Sequence, residues 1–162
     1  MSAAPALAAA HRQMQAVAKA HADCTPDESD GLSWTIGIQR DDCPSLLEKS
    51  LRKARHERIV LHMRFPPSFP FAPPFLRVVS PVFEAMTGHV VSGGAICTEV
   101  LTLNDGPHGW RPTVCISSLI TSILHMMSEG GASIVKGRGS YPEDAAHRGY
   151  RRVAARYGWK IE

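Results

Sequence analysis

Residues 65–74 read Phe65-Pro66-Pro67-Ser68-Phe69-Pro70-Phe71-Ala72-Pro73-Pro74. Five prolines in ten residues remove five backbone donors and fix five φ angles, so the stretch is neither a helix nor a central strand. It must be a rigid, extended loop, with its three phenylalanines tethering it to a core. On its N-terminal side Ile59, Leu61, Met63 and Phe65 recur at every second position, the period of a half-buried strand. On its C-terminal side Phe75 to Val79 is an apolar run of strand length. Further upstream Leu32, Trp34, Ile36 and Ile38 alternate with Ser33, Thr35, Gly37 and Gln39, which adds another strand. The centre of the chain therefore reads as an antiparallel meander.

Helical signals frame this meander. Residues 4 to 22 are rich in alanine, with Leu7, Met14 and Val17 as a thin apolar stripe, and Asp23 to Gly31 breaks the pattern with Pro26 and Gly31. Residues 41 to 58 form a long polar connection holding a short helix over Ser45 to Ala54. Residues 80 to 112 are punctuated by Gly and Pro and read as a long ordered loop around Ala95 to Cys97, an uncommon feature with functional weight. Thr113 is the expected N-cap of a helix carrying Ile116, Leu119, Ile120, Ile123, Leu124 and Met127, stopped at Gly130-Gly131. Ser140-Tyr141-Pro142-Glu143 matches a capping box, opening a last helix with Ala146, Tyr150, Val153, Ala154 and Tyr157 on its apolar face. There are no repeats and no low-complexity linker, so residues 1–162 are expected to form a single α+β domain.

Composition bounds the function. A chain of 162 residues, 44% hydrophobic, buries a core without staples, and a net charge of +3 is too small to argue for nucleic acid. Its densest basic run (Lys49, Arg52, Lys53, Arg55, Arg58) is interrupted by Glu48 and Glu57 and reads as a solvated face. Cys24, Cys43, Cys97 and Cys115 are scattered, without zinc spacing, and suit free thiols in a reducing compartment. No apolar run is long enough to span a membrane. The acid-free first 22 residues have a little of a transit peptide's composition, although a helix is the simpler reading.

Three segments, in this order and separation, resemble the ubiquitin-conjugating enzyme family. Phe69-Pro-Phe-Ala-Pro-Pro74 is similar to its aromatic-Pro-Phe-x-Pro-Pro loop, Gly94-Ala-Ile-Cys97 to the segment ending in its active-site cysteine, and Trp110-Arg-Pro112 to its Trp-x-Pro turn. The resemblance runs from the first helix to about Trp159. Residues 73–81, 93–102 and Gly158-Trp159 resemble the Q-type subfamily, which often has an additional N-terminal domain; the expectation here is a minimal version. The resemblance implies the UBC-like α+β fold: an N-terminal helix, an antiparallel meander, an active-site loop and C-terminal helices.

It also implies an activity. Cys97 would accept ubiquitin or a ubiquitin-like protein from a ubiquitin-activating enzyme as a thioester and transfer it to an amine of a protein substrate. Sulfur suits both steps, being a good nucleophile as thiolate and a good leaving group. Gly93, Gly94 and Ala95 read as too small to shield the sulfur. The family's asparagine, eight residues before the cysteine, is replaced by His89, which could hold the loop or the oxyanion, or take the amine's proton, or be only a loop residue. Glu129 and Ser133 are possible accessory residues for the attacking lysine. Asp105 and His108 lie on a lengthened loop, better read as a polar tip than as part of the site. Phe71, Pro112 and Thr113 fall where the family binds a RING-type ligase, and His11, Arg12 and Lys19 would give the first helix a basic face for the activating enzyme. Cys115 reads mainly as core. No cofactor, metal, nucleic acid or membrane is expected, and the compartment implied is cytoplasmic or nuclear.

Two other readings stay open. A non-catalytic relative of the same fold would act as a ubiquitin or ligase binding module; the cysteine speaks against it and the lost asparagine for it. A cysteine hydrolase using Cys97 and His89 would need an orienting Asn or Asp and a strand-to-helix nucleophile turn, and neither is recognisable.

Overall fold

The computed structural model describes residues 4–161. Helix α1 (Ala4–Ala20) buries Ala6, Ala10, Met14 and Val17, so two alanines extend the expected stripe and Leu7 sits at its margin. Four antiparallel strands follow in the order β1-β2-β3-β4: Asp23–Pro26, Ser33–Gln39, Arg58–Arg64 and Phe75–Ser80. Helix α2 (Ser45–Lys53) interrupts the meander between β2 and β3. After β4 come a long irregular segment, α3 (Ile116–Glu129) and α4 (Ala145–Tyr157).

The period-2 pattern does what it should. Trp34, Ile36 and Ile38, then Ile59, Leu61 and Met63, then Leu76 and Val78 share one core with Ile116, Leu119, Ile120, Ile123, Leu124 and Met127 of α3. Thr35, His62 and Arg77 stand in register across the opposite face of the sheet.

Four expectations are corrected. Asp23 to Pro26, read as part of a break, is the edge strand β1, with Asp23 opposite Gly37 and Pro26 opposite Trp34. It has no apolar alternation because only Cys24 packs partly against the core; Gln39 Nε2 and Arg58 Nη1 bond the Asp23 carboxylate, and Pro26 is tolerated at an edge. Thr113 is not the N-cap of α3: the helix starts at Ile116, whose amide donates to Gln13 Oε1 of α1. The capping box at residues 140–143 does not form either. Tyr141 is drawn away by two hydrogen bonds between its hydroxyl and the Phe83 backbone, and α4 starts after Asp144 with no side-chain cap. Tyr157, assigned to the apolar face of α4, is 56% exposed and stacks on Trp159.

Helix α2 is short and needs outside support. Leu47 and Leu51 sink into the core, and the Leu47 amide donates to Ser128 Oγ at 3.1 Å, inside the protein. That bond satisfies a first-turn amide that no residue of α2 itself caps. Ser128→Ala leaves the amide buried and unpaired and is expected to cost about 1–3 kcal/mol in urea unfolding. Ser122→Ala, on the exposed side of α3, should stay within about 0.5 kcal/mol of the parent.

Candidate functional site

Residues 89–97 fold back on themselves as a narrow hairpin clasped by β4. The Val78 amide donates to the Gly94 carbonyl and the Ile96 amide to Leu76, so residues 94–96 run as an added strand along β4. On its other edge the Val91 amide bonds Ala95 and the Cys97 amide bonds the His89 carbonyl at 2.8 Å. The turn needs Gly93 and Gly94, at φ 93° and 97°. A Cβ on Gly93 would lie 2.2 Å from the Ala145 carbonyl oxygen, and one on Gly94 2.7 Å from the Tyr141 ring. These glycines therefore do not open the site, as their size suggested; they let the start of α4 and the Tyr141 ring close over the hairpin. Gly149 serves the same contact from α4, since a side chain there would collide with the Ser92 carbonyl.

Cys97 is held, and it is also covered. It is 7% exposed, in a small apolar cluster with Val91, Ala95, Ala146 and Tyr150. Trp159 and Ile161 pack against that cluster. The chain after α4 is strapped there by the Leu103 amide bonding the Lys160 carbonyl, the Lys160 amide bonding Asn104 Oδ1, and Lys160 Nζ pairing with Asp105 at 2.9 Å. Burial pushes the Cys97 thiol up to about 11. Tyr150, whose hydroxyl donates to the Leu101 carbonyl at 3.0 Å, is held neutral by burial first and by the neighbouring sulfur second.

His89 reaches the cysteine through the backbone. Its Nδ1 lies 3.2 Å from the Cys97 carbonyl oxygen, which can only accept, so Nδ1 carries the proton and Nε2 is the free nitrogen. The residue is exposed and left-handed, at φ 63°. Its loop docks on the end of α3: the Gly88 amide donates to Gly130, and the Ser133 amide to Thr87 Oγ1 at 3.1 Å. Glu129 is exposed beside this junction and Ser133 is half-buried within it, so both stand with the His89 loop. Asp105 and His108 are exposed at the loop tip, Asp105 being engaged by Lys160.

The other expected surfaces lie elsewhere. Phe71 is 76% exposed, and Pro112 and Thr113 are exposed too. Trp110 joins their two loops by donating from Nε1 to the Pro70 carbonyl at 2.7 Å, with Phe69 between Phe65 and Trp110. His11, Arg12 and Lys19 are exposed on α1.

Cys115 is not a core residue. It is exposed at the N-cap of α3, and hydrogen bonding by Ser118, backbone first and hydroxyl second, lowers its thiol below the usual range. Its place at the start of the helix already allows a lowered thiol, but the sequence reading favours core packing, and the exposed sulfur overturns that preference.

Comparisons with known proteins agree with this architecture. The family model described as ubiquitin-conjugating enzyme matches residues 55–134. The human Q-like protein 1 of the ubiquitin-conjugating enzymes is 38% identical over 106 residues, covering 65% of this chain and 58% of the relative. Human ubiquitin-conjugating enzyme E2 Q1 is 33% identical over 135 residues, covering 78% of this chain and 31% of the relative. The chain thus spans little more than half of one relative and about a third of the other. Among solved structures, human ubiquitin-conjugating enzyme E2 G1 superposes with a TM-score of 0.58 at 19% identity, over 80% of this chain and 98% of that one, which speaks for the fold.

The thiols rank in an order that alkylation measures. The rise of Cys97 from 9.0 to about 11 leaves about a hundredfold less thiolate near neutral pH than an ordinary thiol would have. Iodoacetamide labelling followed by mass spectrometry should modify Cys115 first and Cys97 far more slowly. Replacing Trp159 and Ile161 with Ala should speed labelling of Cys97 and leave Cys115 unchanged; equal rates at Cys97 in both proteins would exclude the strap as its cover.

Proposed function

This chain belongs to the ubiquitin-conjugating enzyme family, with Q-type relatives, and we propose that it carries ubiquitin or a ubiquitin-like protein as a thioester on Cys97. The observation that carries the reading is the hairpin that fixes Cys97 between β4 and His89. In charging, the Cys97 thiolate attacks the carbonyl carbon of the modifier's thioester on the activating enzyme. A new C–S bond forms, the old one breaks, and the activating enzyme's thiolate leaves. In transfer, a substrate amine attacks the same carbon, the Cys97 thiolate departs and the amine gives up a proton.

The geometry limits what His89 can do in the second step. The Cys97 amide is spent on the His89 carbonyl and Nδ1 of His89 on the Cys97 carbonyl. A neutral ring therefore has no proton left for an oxyanion, but its Nε2 lone pair is free to accept one from the amine. We assign His89 two roles, holding the cysteine's backbone and receiving that proton. Charging requires the sulfur to be uncovered, which means displacing the strap at Trp159 and Ile161.

By the same reading, Phe71 with Pro112 and Thr113 forms the docking surface for a RING-type ligase, an exposed aromatic anchor on two loops that Trp110 locks together. The basic face of α1 (His11, Arg12, Lys19) meets the activating enzyme, and the protein works in the cytoplasm or nucleus. Burial of the Cys97 sulfur favours a second reading, a non-catalytic binding module of the same fold.

Incubation with activating enzyme, ATP and ubiquitin separates the two. A carrier forms a reductant-sensitive adduct that Cys97→Ser converts to a hydroxylamine-labile ester, whereas a module forms none, and a panel of activating enzymes identifies the modifier. For the charged enzyme, His89→Ala should slow discharge onto free lysine by about 10–100-fold. An unchanged rate across about pH 6 to 8 would remove His89 from the reaction.

A further inference from the structure

The outer face of the sheet carries a constellation that the Cys97 site does not use. His62 of β3 stands directly across from Arg77 of β4, and Arg64 across from Phe75. The start of α4 lies over this corner and sets Glu143, Asp144 and His147 around a basin that reaches down to Arg77. His147 stacks on Phe75 with ring centres 4.0 Å apart and planes 13° from parallel.

Arg77 is the unusual member. It is only 8% exposed, and its Nη1 is sealed from solvent with no hydrogen-bond partner. Burying a guanidinium with an unfilled donor is costly, and such groups are normally satisfied by protein, water or ligand. Arg64 and Arg151 add to the same field. Burial first, then the nearby arginines, hold both His62 and His147 below the ordinary histidine range. Four acids oppose them: Asp30 pairs with Arg64 at 3.7 Å, Asp27 raises His62 from the other side, and Glu143 and Asp144 line the basin. Asp144 is already engaged by Arg148, which leaves Glu143 exposed on the rim. The cations come from three separate elements, an arrangement that suits a compact anion with several acceptors and a double charge better than a planar carboxylate taking one arginine.

An apolar cleft of about 280 Å³ opens beside the basin and shares Arg64, Phe75 and His147 with it. Its walls include Pro73, Pro74 and Leu76. We propose that the basin and cleft together form a binding site for a phosphomonoester with an apolar body, the phosphate over Arg77 and the body along the proline wall. Nothing in this assignment depends on Cys97 being charged.

Titrating the whole chain with inorganic phosphate, and separately with phenyl phosphate, tests it by NMR at constant ionic strength. The expected result is saturable shifts at the Arg77 side chain and at the His62 and His147 rings. Both histidine pKa values should rise on saturation, because a bound anion offsets the cations that depress them. Phenyl phosphate should bind at least about threefold more tightly than inorganic phosphate, as one buried apolar contact allows. Arg77→Met should weaken binding about tenfold or more, the usual loss for a charged hydrogen-bond donor. Two exposed positions cover the case in which that variant does not fold: Arg64→Gln should weaken binding and Glu143→Gln should tighten it. Shifts that stay linear with concentration, that chloride reproduces, or that the Arg64 and Glu143 variants leave unmoved would overturn the proposal. Equal affinity for the two phosphates would overturn its apolar half.

Discussion

Everything around the candidate cysteine depends on one piece of backbone pairing, the run 94–97 clamped between β4 and residues 89–91. Each edge of this run is hydrogen bonded, to Leu76 and Val78 on one side and to His89 and Val91 on the other. A residue in an ordinary loop would sample many orientations; here the cysteine is fixed as firmly as a residue in a sheet. The clamp in turn dictates the glycines at its turn, the close seating of α4, and the docking of residues 87–88 on the end of α3. Position is settled by main-chain bonds, and the side chains are left to settle access and chemistry.

Access and chemistry pull against each other at Cys97. The cluster that packs around the sulfur disfavours its thiolate, so the resting protein protects the thiol it positions. Cys115 shows the opposite arrangement: an exposed sulfur at a helix start, its thiol lowered by hydrogen bonding from Ser118. Reactivity alone would choose Cys115, and a fixed backbone chooses Cys97. The strap of residues 159–161 packs against the same cluster from the far end of the chain. It is held by a few bonds through Lys160 and by two partly buried side chains, Trp159 and Ile161.

How much of this was legible in the sequence follows the physics of each signal. Strands β2, β3 and β4 and the apolar face of α3 were legible because burying one face leaves a periodic trace. So was the rigid proline loop, because proline's constraints are local. Strand β1 was not, since an edge strand held by backbone bonds and the Asp23 carboxylate leaves no periodicity. The cap of α3 was misplaced because its acceptor, Gln13, comes from a helix far away in the chain. The same limit governs the site: the order of motifs singled out Cys97 and His89, but the cover over the sulfur is made by segments remote in sequence. The outer-face basin was invisible for that reason, its residues being scattered over β3, β4 and α4.

The histidine at position 89 is best understood from its backbone. A left-handed residue costs most side chains about 1–2 kcal/mol, and the few that enter this region readily include Asn, Asp and His. The clasp asks for two things there: a residue that accepts φ 63°, and a side chain that can donate to the Cys97 carbonyl. Asparagine and histidine meet both, while aspartate as its anion cannot donate. Histidine at this position therefore meets the conformational and hydrogen-bonding demands of the site as an asparagine would. The two differ in one respect: an amide has no basic lone pair, whereas Nε2 of an imidazole that donates through Nδ1 has one. At position 89 the backbone constraint is met by a residue whose second ring nitrogen also carries a lone pair.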